Sequence, residues 1–501
     1  MARTALGALP LDRDNGGPLS RQICEALRDR IARGRLRAGD ALPPSRALAG
    51  DLGVSRSTVG TAYDQLVAEG YATGRRGSGV YVGDIGTVEA APPVPPRRRR
   101  TPAGQPAPPD NPEPFRPGLP DMRLFPYRQW GRTVARTARS DTAAMIRETE
   151  SFGDPVLRQE IVRHLADWRG IEVRPEQVIV TAGAGDALEI TIRALSGAGD
   201  PVALEDPGYL PLRSFVRSMG LRPVWMPVDG DRATVPAADE SPPPRLTVLT
   251  PSHQFPLGGA MPTSRRHAFL NHAEATGGWI VEDDFDSEFR FAGRPIPALA
   301  SLDRAGRVIY VGSFSKVFSL GLRLGYLVVP EAQLPAFADT LRQFRPKASA
   351  ALQRPLAAFL AEGEFHRHIR RMRRIYAERY RLFQSMLTDR FGANVTWTAH
   401  QAGMQIAVHL TGAADDRDMA SRARAAGVVC PALSGYHAGE VRHRGLLMGF
   451  CAFDEAEMSA AFDRLAGALP ELAAAQAAGS VRRATLMGAR RPLTDSGSAD
   501  S

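Results

Sequence analysis

Lysine is nearly absent from this 501-residue chain, which has just two, Lys316 and Lys347. Lys316 closes the stretch Ser313-Phe314-Ser315-Lys316 directly after the apolar run VIYVG, whereas Lys347, in RPKAS, has no such surroundings. Asp283 follows the run WIVE, and Tyr209 follows PVALED by way of Pro207-Gly208. After VIVT come Ala182, Gly183, Ala184 and Gly185, small residues opening a helical stretch, and Arg323 lies in GLRLGY just beyond Lys316. Each type has a chemical use. An amine condenses with a carbonyl carbon, a carboxylate holds a cation, and an aromatic ring stacks on a planar ligand. Hydroxyls, a guanidinium and the backbone amides of a helix N-terminus bind phosphate. Singly, each also has a plain structural reading as a cap, a core ring or a solvated charge.

One ligand uses all of these groups together. Pyridoxal phosphate needs an amine for its aldehyde, a carboxylate to keep its ring nitrogen protonated, an aromatic surface, and donors for its phosphate. The cysteines, Cys24, Cys430 and Cys451, are odd in number and far apart, with no Cys/His cluster at metal-ligand spacing, so no metal is expected. Their scarcity suits a reducing cytoplasm.

The elements that must position these groups follow from periodicity. QVIVT, PVALED, LTVLT, WIVED and RVIYVG are short apolar runs separated by helical stretches, the pattern of a mainly parallel sheet flanked by helices, an α/β fold whose ligands sit beyond the carboxyl ends of the strands. This pattern occupies residues 113–472, with a smaller α+β subdomain expected from about 345. Residues 84–112, rich in Pro and Arg and including the run Arg97 to Arg100, read as a linker. Residues 473–501 lapse into Ala, Gly, Ser and Arg, and a disordered tail is expected there. The net charge of +9 favours a polyanionic partner. No apolar run of about 18 residues or secretory leader is found, so a cytoplasmic protein without a membrane role is expected.

Residues 1–83 read differently. Ile23, Leu27 and Ile31 mark one amphipathic helix. Leu42 to Gly70 holds two more, the first expected to be capped by Ser45 and the second by Ser55, with a turn at Gly53. The stretch YATGRRGSGVYVG then predicts a two-stranded wing. Helix, tight turn and helix make a helix-turn-helix, whose second helix enters the major groove by its N-terminal end. That end carries Arg56, Ser57 and Thr58, and the segment has 12 Arg and no Lys against 8 acidic residues, a net of +4. Leu42 to Tyr71 closely resembles the winged helix of GntR-type regulators, LPxSRxLAxxLGVSRxTVxxAYxxLxxEGY. The resemblance implies contact with a double-stranded DNA operator by Arg46, Ser55, Arg56, Ser57, Thr58 and the wing residue Gly77.

Phe115 to Leu472 resembles fold-type I, pyridoxal-phosphate-dependent aminotransferases. TPSHQFPLG, EDDFDSEFRF and VGSFSKVFSLGLRLGYLVVP are similar to the MocR/GabR family of regulators, which join such a winged helix to such a domain. The resemblance implies that Lys316 forms the Schiff base, Asp283 pairs with the ring nitrogen, and Tyr209 stacks. It implies that Ser313, Ser315, Arg323 and the amides of Gly183 and Ala184 hold the phosphate. Phe285 and Phe152 stand where the family has tyrosines, and Pro211 and Leu447 where arginines anchor carboxylates; Arg442 or Arg444 are candidates to replace the latter. A homodimer is implied as well. The leading reading is a DNA-binding transcription regulator that senses pyridoxal phosphate, or an amine or amino-acid effector, through aldimine formation. A working aminotransferase with an attached DNA-binding module and a cofactor-free dimerisation scaffold are the alternatives.

Overall fold

In the computed structural model, the described residues are 9, 11–13, 17–75, 79–84, 113–141, 150–229, 232–237, 241–291, 296–398, 400, 402–412 and 414–473. Gly77, the segment 85–112 expected to be a linker and the segment 474–501 expected to be a tail lie outside them. The chain divides into two compact units, Met1–Ala107 and Pro108–Ser501.

In the N-terminal unit, α1 (Leu19–Ala32) buries Ile23, Cys24, Leu27 and Ile31, one stripe at helical spacing. This stripe packs with Leu48 and Ala49 of α2 (Ser45–Leu52) and with Val59, Ala62, Tyr63 and Leu66 of α3 (Arg56–Ala68). Gly53 ends α2 at φ 62, a left-handed conformation open to glycine, and so turns the chain into α3. Ser55 caps α3, its hydroxyl accepting the Thr58 amide at 3.1 Å. Ser45 does not cap α2. Pro44 occupies the cap position, Ser45 is already helical, and its hydroxyl accepts instead from Arg56 Nε at 3.4 Å. Strands β1 (Ala72–Arg75) and β2 (Gly79–Val82) pair antiparallel as the wing.

The C-terminal unit is built on an eight-stranded mixed sheet. In chain order its strands are β3 (Val178–Thr181), β4 (Pro201–Asp206), β5 (Arg222–Asp229), β6 (Arg232–Ala233), β7 (Leu246–Leu249), β8 (Trp279–Asp284), β9 (Val308–Ser313) and β10 (Gly325–Val328). Their order across the sheet is β3-β10-β9-β8-β7-β4-β5-β6. The five predicted runs form β3, β4, β7, β8 and β9, each buried along its whole length as a sheet covered on both faces requires. β10 departs from the parallel pattern, running antiparallel to both neighbours. It follows β9 without an intervening helix, so strand-helix alternation gives no sign of it.

Helix Glu364–Phe391 buries Phe365, Ile369, Met372, Tyr376, Tyr380, Phe383 and Leu387 in a core shared with a small antiparallel sheet. That sheet comprises β11 (Val395–Trp397), β12 (Gln405–Leu410) and β13 (Gly445–Gly449) in the order β11-β12-β13. Among the described residues, no helix is long and apolar enough to cross a membrane.

Candidate functional site

The carboxyl ends of β4, β8 and β9 open on one cavity of about 430 Å³. Ala184, Tyr209, Asp283 and Lys316, four of the residues singled out in the sequence, line it together. Phe255, Phe285, Tyr436, Gln405, Arg116 and Arg424 line it as well.

Lys316 sits between rings, its Nζ 4.8 Å from the centroid of Phe285 and 6.0 Å from that of Phe255. Burial lowers the pKa of its amine, against the opposing charges of Asp286 and Asp283, which raises the neutral, nucleophilic fraction. Gly118, at φ 69, passes so close that an added Cβ would stand 3.2 Å from Nζ. Phe285 offers no phenol at this point, so the amine's wall is apolar there.

Asp283 is the other pole of the site. Its carboxyl is buried, and Oδ1 has no hydrogen-bond partner among the described residues. Burial pushes its pKa up to about 7; Lys316 opposes the rise, while Asp284 and Asp286 add to it. An unsatisfied carboxylate in such a place is costly alone, and favourable opposite a cationic ring N–H. Glu205, two strands away on β4, is likewise pushed up to about 7 by burial, but it is satisfied, accepting from Thr250 Oγ1 at 2.6 Å and from the Thr250 amide at 3.3 Å.

Gly183, Ser313 and Ser315, three of the other expected phosphate contacts, gather beside Ala184 of the cavity wall. Gly325 of β10 pairs with Thr181 on one side and with Ser313 on the other, which brings the ends of β3 and β9 to one level. An added Cβ on Gly325 would meet Gly183 Cα at 2.9 Å, so the approach demands glycine. Ser313 Oγ accepts the Ser315 amide at 3.2 Å, and Ser315 Oγ lies 3.7 Å from where a Cβ on Gly183 would stand. Helix Ala184–Leu195 begins there with no side-chain cap, leaving its N-terminus to the rim. Arg323 is exposed at φ 47, a conformation that non-glycine residues seldom hold, and no hydrogen bond or ion pair fixes its side chain among the described residues. Lys347 plays no part here; it pairs with Glu189 at 2.8 Å and Asp186 at 3.3 Å on the same helix.

At the positions where the resemblance implies carboxylate anchors, the cavity has other residues. Leu447 is fully buried in an apolar cluster with Ala407, Leu433, Phe255 and Tyr436. Pro211 is exposed, and the buried Arg213 beside it binds Asp206 at 3.2 Å and the Tyr436 carbonyl. Neither Arg442, which pairs with Glu440 at 3.3 Å, nor Arg444 lines the cavity. Its arginines are Arg116, paired with Glu113 at 2.9 Å, and Arg424 in the last turn of helix Asp416–Ala425. Spacing gives no hint of Arg424, which is more than 100 residues from Lys316. Phe152 is half-buried and packs in the core under β3.

In the N-terminal unit, Ser55, Arg56 and Ser57 are exposed and Thr58 is half-buried at the start of α3, while Arg46 is exposed in the first turn of α2. Ser55 Oγ is engaged by Ser57 at 2.7 Å and by Thr58 Oγ1 at 2.8 Å, so its first duty is to shape this helix terminus.

Comparison with known proteins matches residues 126–465 to the aminotransferase class I and II family and residues 19–82 to the gntR family of bacterial regulatory proteins. The probable rhizopine catabolism regulatory protein MocR of Rhizobium meliloti is 39% identical over 473 residues, 92% of this chain and 95% of that protein. The pyridoxine biosynthesis transcriptional regulator PdxR of Corynebacterium glutamicum is 37% identical over 440 residues, 87% of this chain and 92% of that protein. Among solved structures, the α-aminoadipate aminotransferase LysN of Thermus thermophilus, complexed with N-(5'-phosphopyridoxyl)-L-leucine, superposes with a TM-score of 0.66 at 28% identity, covering 72% of this chain and 93% of that one.

Proposed function

Because the chain belongs to the MocR-type transcription regulators, in which a gntR-family helix-turn-helix is joined to an aminotransferase class I and II domain, we propose that it binds pyridoxal phosphate and reports the state of that cofactor to DNA. Residues 1–83 are the DNA-binding part, with Arg46, Ser55, Arg56, Ser57 and Thr58 at the groove. Residues 113–472 are the sensor, with 345–472 its smaller subdomain. A homodimer would present two heads to a two-fold operator.

The observation that carries the reading is the buried, unpartnered Oδ1 of Asp283 in the cavity that Lys316 lines. When bound, the cofactor supplies an aldehyde carbon that primary amines capture. Lys316 holds that carbon with an amine kept partly neutral by burial, and Asp283 keeps the ring nitrogen protonated. Tyr209 and Phe255 give the ring its walls. Ser313, Ser315, Arg323 and the amides of Gly183 and Ala184 hold the phosphate. The signal is pyridoxal phosphate itself, or an amine or amino acid that competes with Lys316 Nζ for the same carbon. The relative named for pyridoxine biosynthesis supports the first, and the apolar burial of Leu447 supports an effector not anchored there by a carboxylate.

Purified protein given pyridoxal phosphate should gain a visible absorption band that Lys316→Ala lacks. A colourless wild type would leave only a dimerisation scaffold. Transamination is the second reading, favoured by the presence of both Lys316 and Asp283; sustained conversion of an amino donor and a keto acid would put it first.

A further inference from the structure

Part of the cavity wall has no task in holding the cofactor: Arg116, Gln405, Arg424, Val429, Pro431 and Tyr436. We infer that this wall receives the remainder of the effector and that Arg424 holds an acid group on it, so that the effector is a primary amine carrying one carboxylate. The inference rests on the cofactor reading, in which the amine end competes with Lys316.

The wall is built close around the Lys316 amine. The segment that carries Arg116 runs on to Gly118, where an added Cβ would stand 3.2 Å from Lys316 Nζ and 3.8 Å from Gln405 Oε1. The Val429 amide donates to the Pro114 carbonyl, the Gly449 amide to the Phe115 carbonyl and the Leu447 amide to the Pro431 carbonyl, each at 2.8 Å. Backbone bonds therefore stitch residues 113–118, the stretch after helix Asp416–Ala425 and β13 into one frame.

Charge decides what that frame accepts. Of the two carboxylates lining the cavity, Glu113 is taken by Arg116 at 2.9 Å, and Asp283 serves the ring nitrogen in the cofactor reading. Arg424 is left over. It is exposed, and no hydrogen bond or ion pair engages its guanidinium among the described residues. A cation in the last turn of a helix has a structural use, because it offsets the helix dipole. Arg422 already fills that role in the same turn, and it pairs with Asp418 at 2.9 Å and with Glu471. The guanidinium of Arg424 is thus an ionised fork without a carboxylate, on the wall of a cavity whose other end binds amines.

A carboxylate satisfies such a fork through two parallel N–H···O bonds, which neither an alkyl end nor a second ammonium can supply. Val429, Pro431 and the Tyr436 ring offer apolar surface to the methylene groups of the same ligand. The acid group is then read from helix Asp416–Ala425, and not from the positions that Pro211 and Leu447 occupy.

The test titrates matched ligands into the full-length chain loaded with pyridoxal phosphate, followed by calorimetry and by the visible band. Each unbranched amino acid from glycine to 5-aminopentanoate is set against the alkylamine in which a methyl group replaces its carboxylate. In at least one pair the acid should bind about 10-fold or more tightly than its alkylamine, and 1,5-diaminopentane should bind no better than pentylamine. In Arg424→Gln, an exposed position where no packing is lost, the ratio within that pair should fall to about 1. No preference for the acid in any pair, a diamine bound as tightly as the acid, or a ratio unchanged in Arg424→Gln would each overturn the assignment. Binding heat that depends on Arg424 while the visible band stays unaltered would uphold Arg424 and count against the cofactor reading alone.

Discussion

Replacing Asp283 with asparagine separates two effects of one buried carboxylate that have opposite signs. Without a cofactor, burial raises its pKa from 3.8 to about 7 in the folded chain. The folded carboxyl then keeps a proton that the unfolded chain has released, so stability falls as pH climbs from about 4 to about 7 and stays lowered above that. About three pKa units at 1.36 kcal/mol each come to roughly 4 kcal/mol at pH 8. The asparagine amide carries no such charge. The cofactor-free Asp283→Asn chain should therefore be the more stable at pH 8, by up to about 4 kcal/mol, with the difference shrinking to about 1 kcal/mol at pH 4.5. With pyridoxal phosphate the sign reverses, because a charge-assisted hydrogen bond to the ring is lost, worth about 1.5–3 kcal/mol, or about 10- to 150-fold in affinity. The assay is built into the sequence. All five tryptophans, Trp130, Trp168, Trp225, Trp279 and Trp397, belong to the C-terminal unit, so their emission during urea unfolding reports that unit alone. A cofactor-free Asp283→Asn chain less stable than wild type at pH 8, or one that binds the cofactor as tightly, would refute the reasoning.

Other substitutions probe other parts of the site. Gly118→Ala sets a Cβ 3.2 Å from Lys316 Nζ at a φ that suits glycine, and should cut cofactor affinity by about 10-fold or more, read from the visible band, with the far-ultraviolet spectrum unchanged. Leu447→Arg buries a charge among Ala407, Leu433, Phe255 and Tyr436; a loss of at least about 3 kcal/mol in the tryptophan-monitored unfolding is expected rather than a new carboxylate anchor. Arg56→Ala should weaken operator binding and reduce the slope of log affinity against log salt by about 1, measured by fluorescence anisotropy; an unchanged slope would remove Arg56 from the interface.

Much of this molecule is legible in its sequence. Parallel strands buried on both faces leave unbroken apolar runs, and the residue after each run is placed at the rim by the fold itself, which is why Tyr209, Asp283 and Lys316 could be read together. The helix-turn-helix was legible because the Ser55 cap and the left-handed Gly53 are local features that a few residues dictate. What spacing could not convey was contact between distant segments. Gly118, Gln405 and Arg424 reach the cavity from other parts of the chain, and the His253–Asp286 pair joins two loops 33 residues apart. Ser45 misled because a proline before it already sets the entry to the helix, so a residue type suited to capping found the position taken.

The antiparallel strand between β3 and β9 has a consequence for assembly. β3 joins the rest of the sheet through β10 alone, so the first strand of this sheet to leave the ribosome waits for the last of its eight before it gains a strand neighbour. Until roughly 150 residues more have been made, it has no strand beside it, only the bond from the Val180 amide to the Phe152 carbonyl, and the rim that it shares with Ser313 does not exist. A ligand spanning that rim would clasp the outermost strand to the centre of the sheet, so newly made chains without such a ligand should be the ones that proteases find first.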